Sequence, residues 1–237
     1  MTTAAILVIG NEILSGQVQD LHVHYMAPKF MNKGINLKEV RIVPVDFDTV
    51  VNAIVTLSKQ YDFLFTTGGI GPTHDDITKS CIAKALNVEM APSESAKTIL
   101  EKYWLDGEDH MVVMPKGANL VFDPTTKAFS FYMDRVYVLP GVPLFLRPLF
   151  DLMIETLPQE NPLYIRSHRF YICEEKIAQI LREAQNQNSD IFIGSYPFYE
   201  DPKGTTIVLK GKDQDRLDLL MGSLEKHINV LKDSLNP

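Results

Sequence analysis

Residues Thr66 to Thr78 read TTGGIGPTHDDIT, placing Gly68, Gly69 and Gly71, Pro72, and the adjacent Asp75 and Asp76 directly after the apolar run Tyr61 to Phe65. Glycines let a backbone take positive φ and approach a ligand closely. A helix starting behind them offers free N–H donors and a partial positive charge, so a phosphate is the natural guest. The loop is neither a Walker loop, since no Gly-Lys-Ser/Thr follows, nor a GxGxxG dinucleotide fingerprint. Asp75 and Asp76 add negative charge beside the expected phosphate. A hard divalent cation such as Mg²⁺ offsets that repulsion through oxygen ligands, polarises a phosphoryl group and lowers the pKa of a bound water. A purely structural alternative stays open: Thr73 as helix N-cap with Asp76 at the third helical position fits a capping box. It explains one carboxylate and leaves Asp75 and the glycines without a reason.

Two further loops follow apolar runs, Gly10-Asn11-Glu12 after Ala4 to Ile9 and Pro140-Gly141-Val142-Pro143 after Val136 to Leu139. In an open parallel sheet such loops converge beyond the carboxyl ends of the strands, where ligands bind. Glu12 and Asp46 are therefore candidates to join Asp76 at a metal, or else are solvated loop carboxylates. His22 and His24, two residues apart on a helix, point to nearly opposite sides and do not make a shared metal site. No base stands beside Ser15 or Lys116 in sequence, and nothing marks a nucleophilic triad.

The elements that must position these residues alternate. Strands are expected at Ala4 to Ile9, Leu37 to Val43 and Tyr61 to Thr67. A helix capped by Asp20 follows the first and ends at Gly34, with Pro28 kinking or dividing it. Asp46 to Asp48 open a second helix, and Ile77 to Leu86 form a third, whose apolar stripe includes Cys81 as plain core. A helical stretch near Ala96 to Trp104 precedes a less regular region, residues 109 to 135, before strand Val136 to Leu139 and helix Leu144 to Leu157. Strands alternating with helices imply βαβ units and a largely parallel sheet covered on both faces. Residues 157 to 162 have linker composition, so residues 1–157 form an α/β domain and residues 163–237 a second one. The second reads as a strand Tyr164 to Ile172, a helix Glu174 to Gln185, strands Ile191 to Phe198 and Thr205 to Lys210, and a helix Asp213 to Leu231. That βαββα order is a small α+β module with an antiparallel hairpin.

The chain has 237 residues, 45% hydrophobic and 22% charged, with a formal charge of −7. The basic residues are scattered, which argues against a nucleic-acid groove or an anionic membrane as partner. No apolar stretch reaches the roughly 20 residues that span a bilayer, and the opening lacks signal-peptide features. Cys81 and Cys173 stand far apart at no metal or redox spacing, so a reduced, cytosolic protein that handles small molecules is the expectation.

The stretches IGNEILSGQVQD, TTGGIGPTHDDIT and VYVLPGVP together resemble the molybdopterin-binding-like family, which includes molybdenum-cofactor biosynthesis proteins and the N-terminal domain of CinA-type proteins. The resemblance covers about residues 4 to 155 and implies a three-layer α/β/α sandwich, a homo-oligomer and a nucleotide or pterin ligand. The stretch from Ser167 to Gly211, with GSYP at Gly194 to Pro197, is similar to the region following this domain in eukaryotic-type FAD synthases. The chain stops before their separate adenylylating domain, so synthase activity is not implied. Carried over by resemblance, the cleft comprises Asn11, Glu12, Asp46, Gly68, Gly69, Gly71, Thr73, Asp76, Pro140 and Gly141, with Asp75 and Thr78 in the same ligand-binding loop. Asp76, Asp46 and Glu12 are the implied metal ligands and catalytic groups, for Mg²⁺, Mn²⁺ or Co²⁺. Where the family has Asp-Thr-Asn, this chain reads Asp20-Leu21-His22. Relatives divide between pterin binders and metal-dependent hydrolases of the pyrophosphate in FAD or ADP-ribose. Hydrolysis is the leading expectation, with pterin binding or a catalytically silent regulatory domain as alternatives.

Overall fold

A strand that is apolar on both faces must be covered on both, and β1 (Thr3–Ile9) is such a strand, with Ala4 through Ile9 all buried. Ala4, Ile6 and Val8 point into one core, while Ala5, Leu7 and Ile9 point into another. This is the strand period of two written into two helical layers. The computed structural model describes residues 2–103 and 109–235 and divides into two units, Met1–Glu160 and Asn161–Pro237.

After β1 the chain forms the short helix α1 (Asn11–Leu14), where a loop was expected, and then α2 (His22–Asn32). Asp20 accepts a hydrogen bond from Val23 N at 3.0 Å and so holds the start of α2. Pro28 does not divide this helix. Its buried anchors Met26 and Phe30 lie on either side of the proline and press both halves onto the sheet. Next come β2 (Asn36–Val43), α3 (Phe47–Gln60), β3 (Phe63–Thr67), α4 (Thr78–Ala85), β4 (Met90–Pro92) and α5 (Glu94–Tyr103). Trp104, placed at the end of that last helix by the sequence, lies outside the described residues.

The region expected to be irregular instead contains α6 (Asp109–Val112), β5 (Val113–Pro115), β6 (Asn119–Phe122) and β7 (Phe129–Met133), followed by β8 (Val136–Leu139) and α7 (Pro143–Glu155). The sheet order is β2-β1-β3-β8-β7-β6. The pairs β1–β2, β1–β3 and β3–β8 are parallel, and β7 and β6 extend the sheet antiparallel. Helices α2 and α7 supply Met26, Phe30, Leu149 and Phe150 to one core, and α3 and α4 supply Val50, Ile54, Leu57 and Ile82 to the other. The unit is thus an α/β/α sandwich on a mostly parallel sheet. Its chain goes from β1 outward to β2 and then back across to β3, so strand order reverses at β1. The crevice beyond the carboxyl ends of β1 and β3 is where such a sheet takes ligands.

The second unit comprises β9 (Tyr164–Phe170), α8 (Glu174–Gln187), β10 (Phe192–Phe198), β11 (Gly204–Gly211) and α9 (Gln214–Leu235). The antiparallel order β10-β11-β9 gives a three-stranded sheet whose Ile207 and Leu209 pack with Ile177, Leu217, Leu224 and Ile228 of the two helices. Among the described residues no helix is long and apolar enough to cross a membrane.

Phe65 is fully buried, with the rings of Tyr137, Phe30 and Phe150 at 4.7, 4.9 and 5.4 Å. Phe65→Ala should lower unfolding free energy by about 3–5 kcal/mol in urea titration; a loss below about 1 kcal/mol would contradict this packing. Cys81 is buried and its thiol is pushed up to about 12, chiefly by desolvation and secondarily by Asp46 and Asp48. Of the two cysteines, only the exposed Cys173 should react with Ellman's reagent before denaturation, and both afterwards.

Candidate functional site

A cleft of about 910 Å³ opens beyond the ends of β1, β3 and β8. Gly10 and Glu12 enter it after β1, Gly68 to Pro72 with Asp75 and Asp76 after β3, and Pro140 to Val142 after β8. Tyr103, Met111, Phe129 and Phe145 supply an apolar wall.

The glycines are dictated by how tightly these strand ends meet. Gly68 and Gly69 have φ of 93° and 66°. A Cβ on Gly68 would run into the Ile9 carbonyl oxygen, and one on Gly69 into the Thr78 hydroxyl. Thr78 is fully buried; its hydroxyl donates to Gly68 O at 2.8 Å and its N–H to Gly69 O at 2.9 Å. Gly71, by contrast, is not among the positive-φ glycines. Its bare Cα leaves room for a carboxylate, since a Cβ there would stand 2.9 Å from Asp76 Oδ2. Gly10 does the same for Glu12, whose carboxylate occupies the space a side chain on Gly10 would take. Gly141 completes the set: its Cβ would lie 3.3 Å from Gly68 Cα, which brings the loop after β8 against the loop after β3.

Thr73 ties the aspartates together. Its N–H donates to Asp76 Oδ2 at 2.7 Å, and its hydroxyl lies 2.6 Å from both Asp75 Oδ1 and Asp76 Oδ2. One hydroxyl proton serves only one of them at a time. The Thr73 hydroxyl, followed by the Asp75 backbone, holds the Asp75 carboxyl below the usual carboxylate range. The alternative of a helix capped by Thr73 is not met, whereas the helix expected from Ile77 forms one residue later. Thr73 to Asp76 is a turn, and α4 begins at Thr78 with no side-chain cap on Ile77. Its first amide is already bonded to Gly69. Lys79, buried beneath, is lowered by desolvation, with the Asp76 charge opposing.

The remaining predicted residues sit as follows. Asp46 caps α3, accepting from Thr49 N at 2.9 Å, and those bonds to Thr49 depress its pKa. Asn11 Oδ1 accepts from Val45 N at 3.1 Å and braces the loop after β2 against the loop after β1. The cleft lining thus gathers Glu12, Gly68, Gly69, Gly71, Asp75, Asp76, Pro140 and Gly141, while Asn11, Asp46, Thr73 and Thr78 build its frame. Among the described residues, no group of three or more His, Cys, Asp or Glu side chains is arranged to hold a metal ion. The apolar wall went unread in the sequence. Tyr103, Phe129 and Phe145 come from separate elements, and no spacing connects them.

Comparison with known proteins gives a consistent picture. The sequence model of the family described as "Probable molybdopterin binding domain" matches residues 5–159, and that of "FAD synthase, middle domain" matches residues 162–232. A protein of Archaeoglobus fulgidus is 29% identical over 228 residues, covering 94% of this chain and 97% of that one. The "Probable FAD synthase" of Caenorhabditis elegans is 25% identical, and the match covers 94% of this chain but 49% of the synthase. Among solved structures, CinA from Thermoplasma acidophilum superposes with a TM-score of 0.62 at 23% identity, over 66% of this chain and 99% of its own, which is a likeness of fold.

Gly16 provides an internal control for the loop glycines, because it too has positive φ, 73°, yet a Cβ there would meet nothing within 4 Å. Gly16→Ala should cost only the backbone strain of about 1–2 kcal/mol. Gly68→Ala should cost clearly more, since the Ile9 carbonyl must also move. Equal melting temperatures for the two variants would show that the approach of β1 to β3 is not tight.

Proposed function

The chain belongs to the molybdopterin-binding-domain family, continued by an FAD-synthase middle domain, and from that premise we propose that its cleft hydrolyses the pyrophosphate of a dinucleotide, FAD or ADP-ribose. The observation that carries this reading is the placement of Glu12 and Asp76, each fitted against a glycine, in one cleft with an aromatic wall. At about 910 Å³ the cleft is in the size range of sites for large small-molecule ligands. The glycine loop supplies backbone donors to the phosphates, and Tyr103, Phe129 and Phe145 pack against a planar ring. Water oxygen adds to one phosphorus as the bridging P–O bond breaks, giving FMN and AMP from FAD, or ribose 5-phosphate and AMP from ADP-ribose.

The donor set suits a divalent ion that arrives with its substrate. Mg²⁺ is commonly bound by one or two carboxylates plus substrate phosphates and waters, not by a full protein cage. Glu12 and Asp76 are the residues that would hold it, whereas Asp46 caps α3 and lies outside the cleft lining. The ion would neutralise charge developing on the phosphoryl oxygens. Asp75 remains as an acceptor for the proton that the attacking water releases.

A second reading is favoured by the family match itself: binding of molybdopterin, whose phosphate suits the same loop. The two are separated by experiment. With FAD and Mg²⁺, Mn²⁺ or Co²⁺ the protein should release FMN and AMP, and EDTA should stop it. Asp76→Asn should lower turnover by at least about 100-fold, a loss of the size expected for a group acting on developing charge. Intact FAD and ADP-ribose under every metal, together with a melting-temperature rise on adding molybdopterin alone, would replace hydrolysis by pterin binding.

A further inference from the structure

The outer side of β2 is open. This strand ends the sheet order β2-β1-β3-β8-β7-β6, so one side of its backbone pairs with β1 while, among the described residues, no strand pairs with the other. Gly10 N donates to Val43 O, which turns the backbone groups of Val43 toward β1. Those groups alternate along an extended strand, so Glu39 and Arg41 also face β1, and the N–H and C=O of Val40 and Ile42 point outward. The side chains of Val40 and Ile42 are 40% and 39% exposed. Natural edge strands are blunted by lysines, prolines and bulges. Here the register shift that leaves Lys38 unpaired guards the start of β2, and Pro44 closes its end. The stretch between them, Glu39 to Val43, is left unguarded.

That stretch is complementary to itself. When a strand pairs antiparallel with its own copy about a two-fold axis, each contact occurs twice, residue i against j and j against i. An axis at Val40 sets Glu39 opposite Arg41 of the second copy and Arg41 opposite its Glu39. An axis at Glu39 or at Arg41 would instead set like charges opposite one another, which is destabilising. With the axis at Val40, the two Val40 residues exchange both N–H···O bonds, and the Glu39–Arg41 pairs take the closer, non-hydrogen-bonded positions, with Cα atoms about 4.5 Å apart. Within one chain the two charges already share a face: Arg41 Nε and Nη2 donate to Glu39 Oε1 at 2.9 and 2.7 Å, and the Tyr61 hydroxyl donates to Oε2 at 2.9 Å. A second copy closes them into four alternating charges.

We propose that this edge docks a second copy of the chain: two β2 strands pair antiparallel about Val40, joining two six-stranded sheets into one, with Glu39 and Arg41 setting the register. The charge pattern is what selects a copy of the same strand as the occupant, since it meets its own complement only under the two-fold. The contact is short compared with obligate interfaces, so the dimer forms with rising concentration and the monomer stays folded. Antiparallel pairing points the carboxyl ends of the two β2 strands in opposite directions. The clefts, which lie beyond the carboxyl ends of strands parallel to β2, therefore open at opposite ends of the joined sheet, and the dimer does not depend on what they bind.

Sedimentation equilibrium of the full chain over a range of concentrations tests it, and should show a monomer–dimer equilibrium with no larger species. Glu39→Arg and Arg41→Glu each set like charges opposite at both symmetric positions, and each should raise the dissociation constant by about tenfold or more. Mixed in equal amounts, the two variants should recover the dimer, because the basic strand of one then faces the acidic strand of the other. Ile42→Lys leaves the Glu39–Arg41 pair intact and sets a second lysine against Lys38. It too should lose the dimer, and it decides the matter if a charge variant fails to fold. A wild-type chain that stays monomeric at every concentration, or one that forms a trimer or larger ring, overturns the proposal. So does a dimer that the folded variants leave unweakened, or a mixture of folded charge variants that stays monomeric.

Discussion

The first unit depends on the closeness with which the end of β1 meets the end of β3. The Ile9 carbonyl oxygen occupies the place where any residue other than glycine at position 68 would carry its Cβ. From that contact the loops after β1, β3 and β8 are drawn together, because Gly68 N also donates to Leu139 O and Gly141 sits against Gly68 Cα. Once three strand ends meet this tightly, whatever follows them must share one crevice. Glu12, Asp76 and the Pro140–Gly141 wall are neighbours for that reason, although they lie far apart in the chain.

This gives the glycine loop a different physical basis from the one its composition first suggests. Bare glycines before acidic residues read naturally as room for a ligand. Here the bareness accommodates the protein itself: a carbonyl at Gly68, a hydroxyl at Gly69, and carboxylates at Gly71 and Gly10. The loop is consequently stiff, with Thr78 tying it to the start of α4 by two hydrogen bonds. A stiff loop can present its donors to a ligand without first losing conformational freedom, which is what preorganisation requires.

How much of this was legible in the sequence varied with the kind of signal. The four parallel strands and the βαββα order of the second unit stood out because burial on both faces, or on alternate residues, imposes a composition that can be read locally. Strands β6 and β7 did not. The turns beside them place Lys127 and Asp134 at φ of 62° and 52°, where glycine or asparagine would have announced a reversal. The start of α4 was legible to within one residue, but the capping-box alternative was not met: Asp76 does accept from Thr73 N, as in such a box, while the chain takes one more turn before becoming helical. Among the site residues, the loops were visible as motifs, but the aromatic wall was not, since Tyr103, Phe129 and Phe145 meet only in the folded chain.

The electrostatics of the cleft sets the terms for anything that binds there. Its lining includes the carboxylates Glu12, Asp75 and Asp76 and no lysine or arginine among the described residues, in a chain of net charge −7. A phosphorylated ligand entering such a cleft meets like charge, and backbone amides alone offer only partial charges to oppose it. The balance has to come from a cation that accompanies the ligand, or from charge held just behind the lining. Glu12 and Asp76 offer oxygens to the first, and the second is limited to the buried Lys79, on which the Asp76 charge acts. Burial penalises positive charge at both His22 and Lys79, which are lowered chiefly by desolvation.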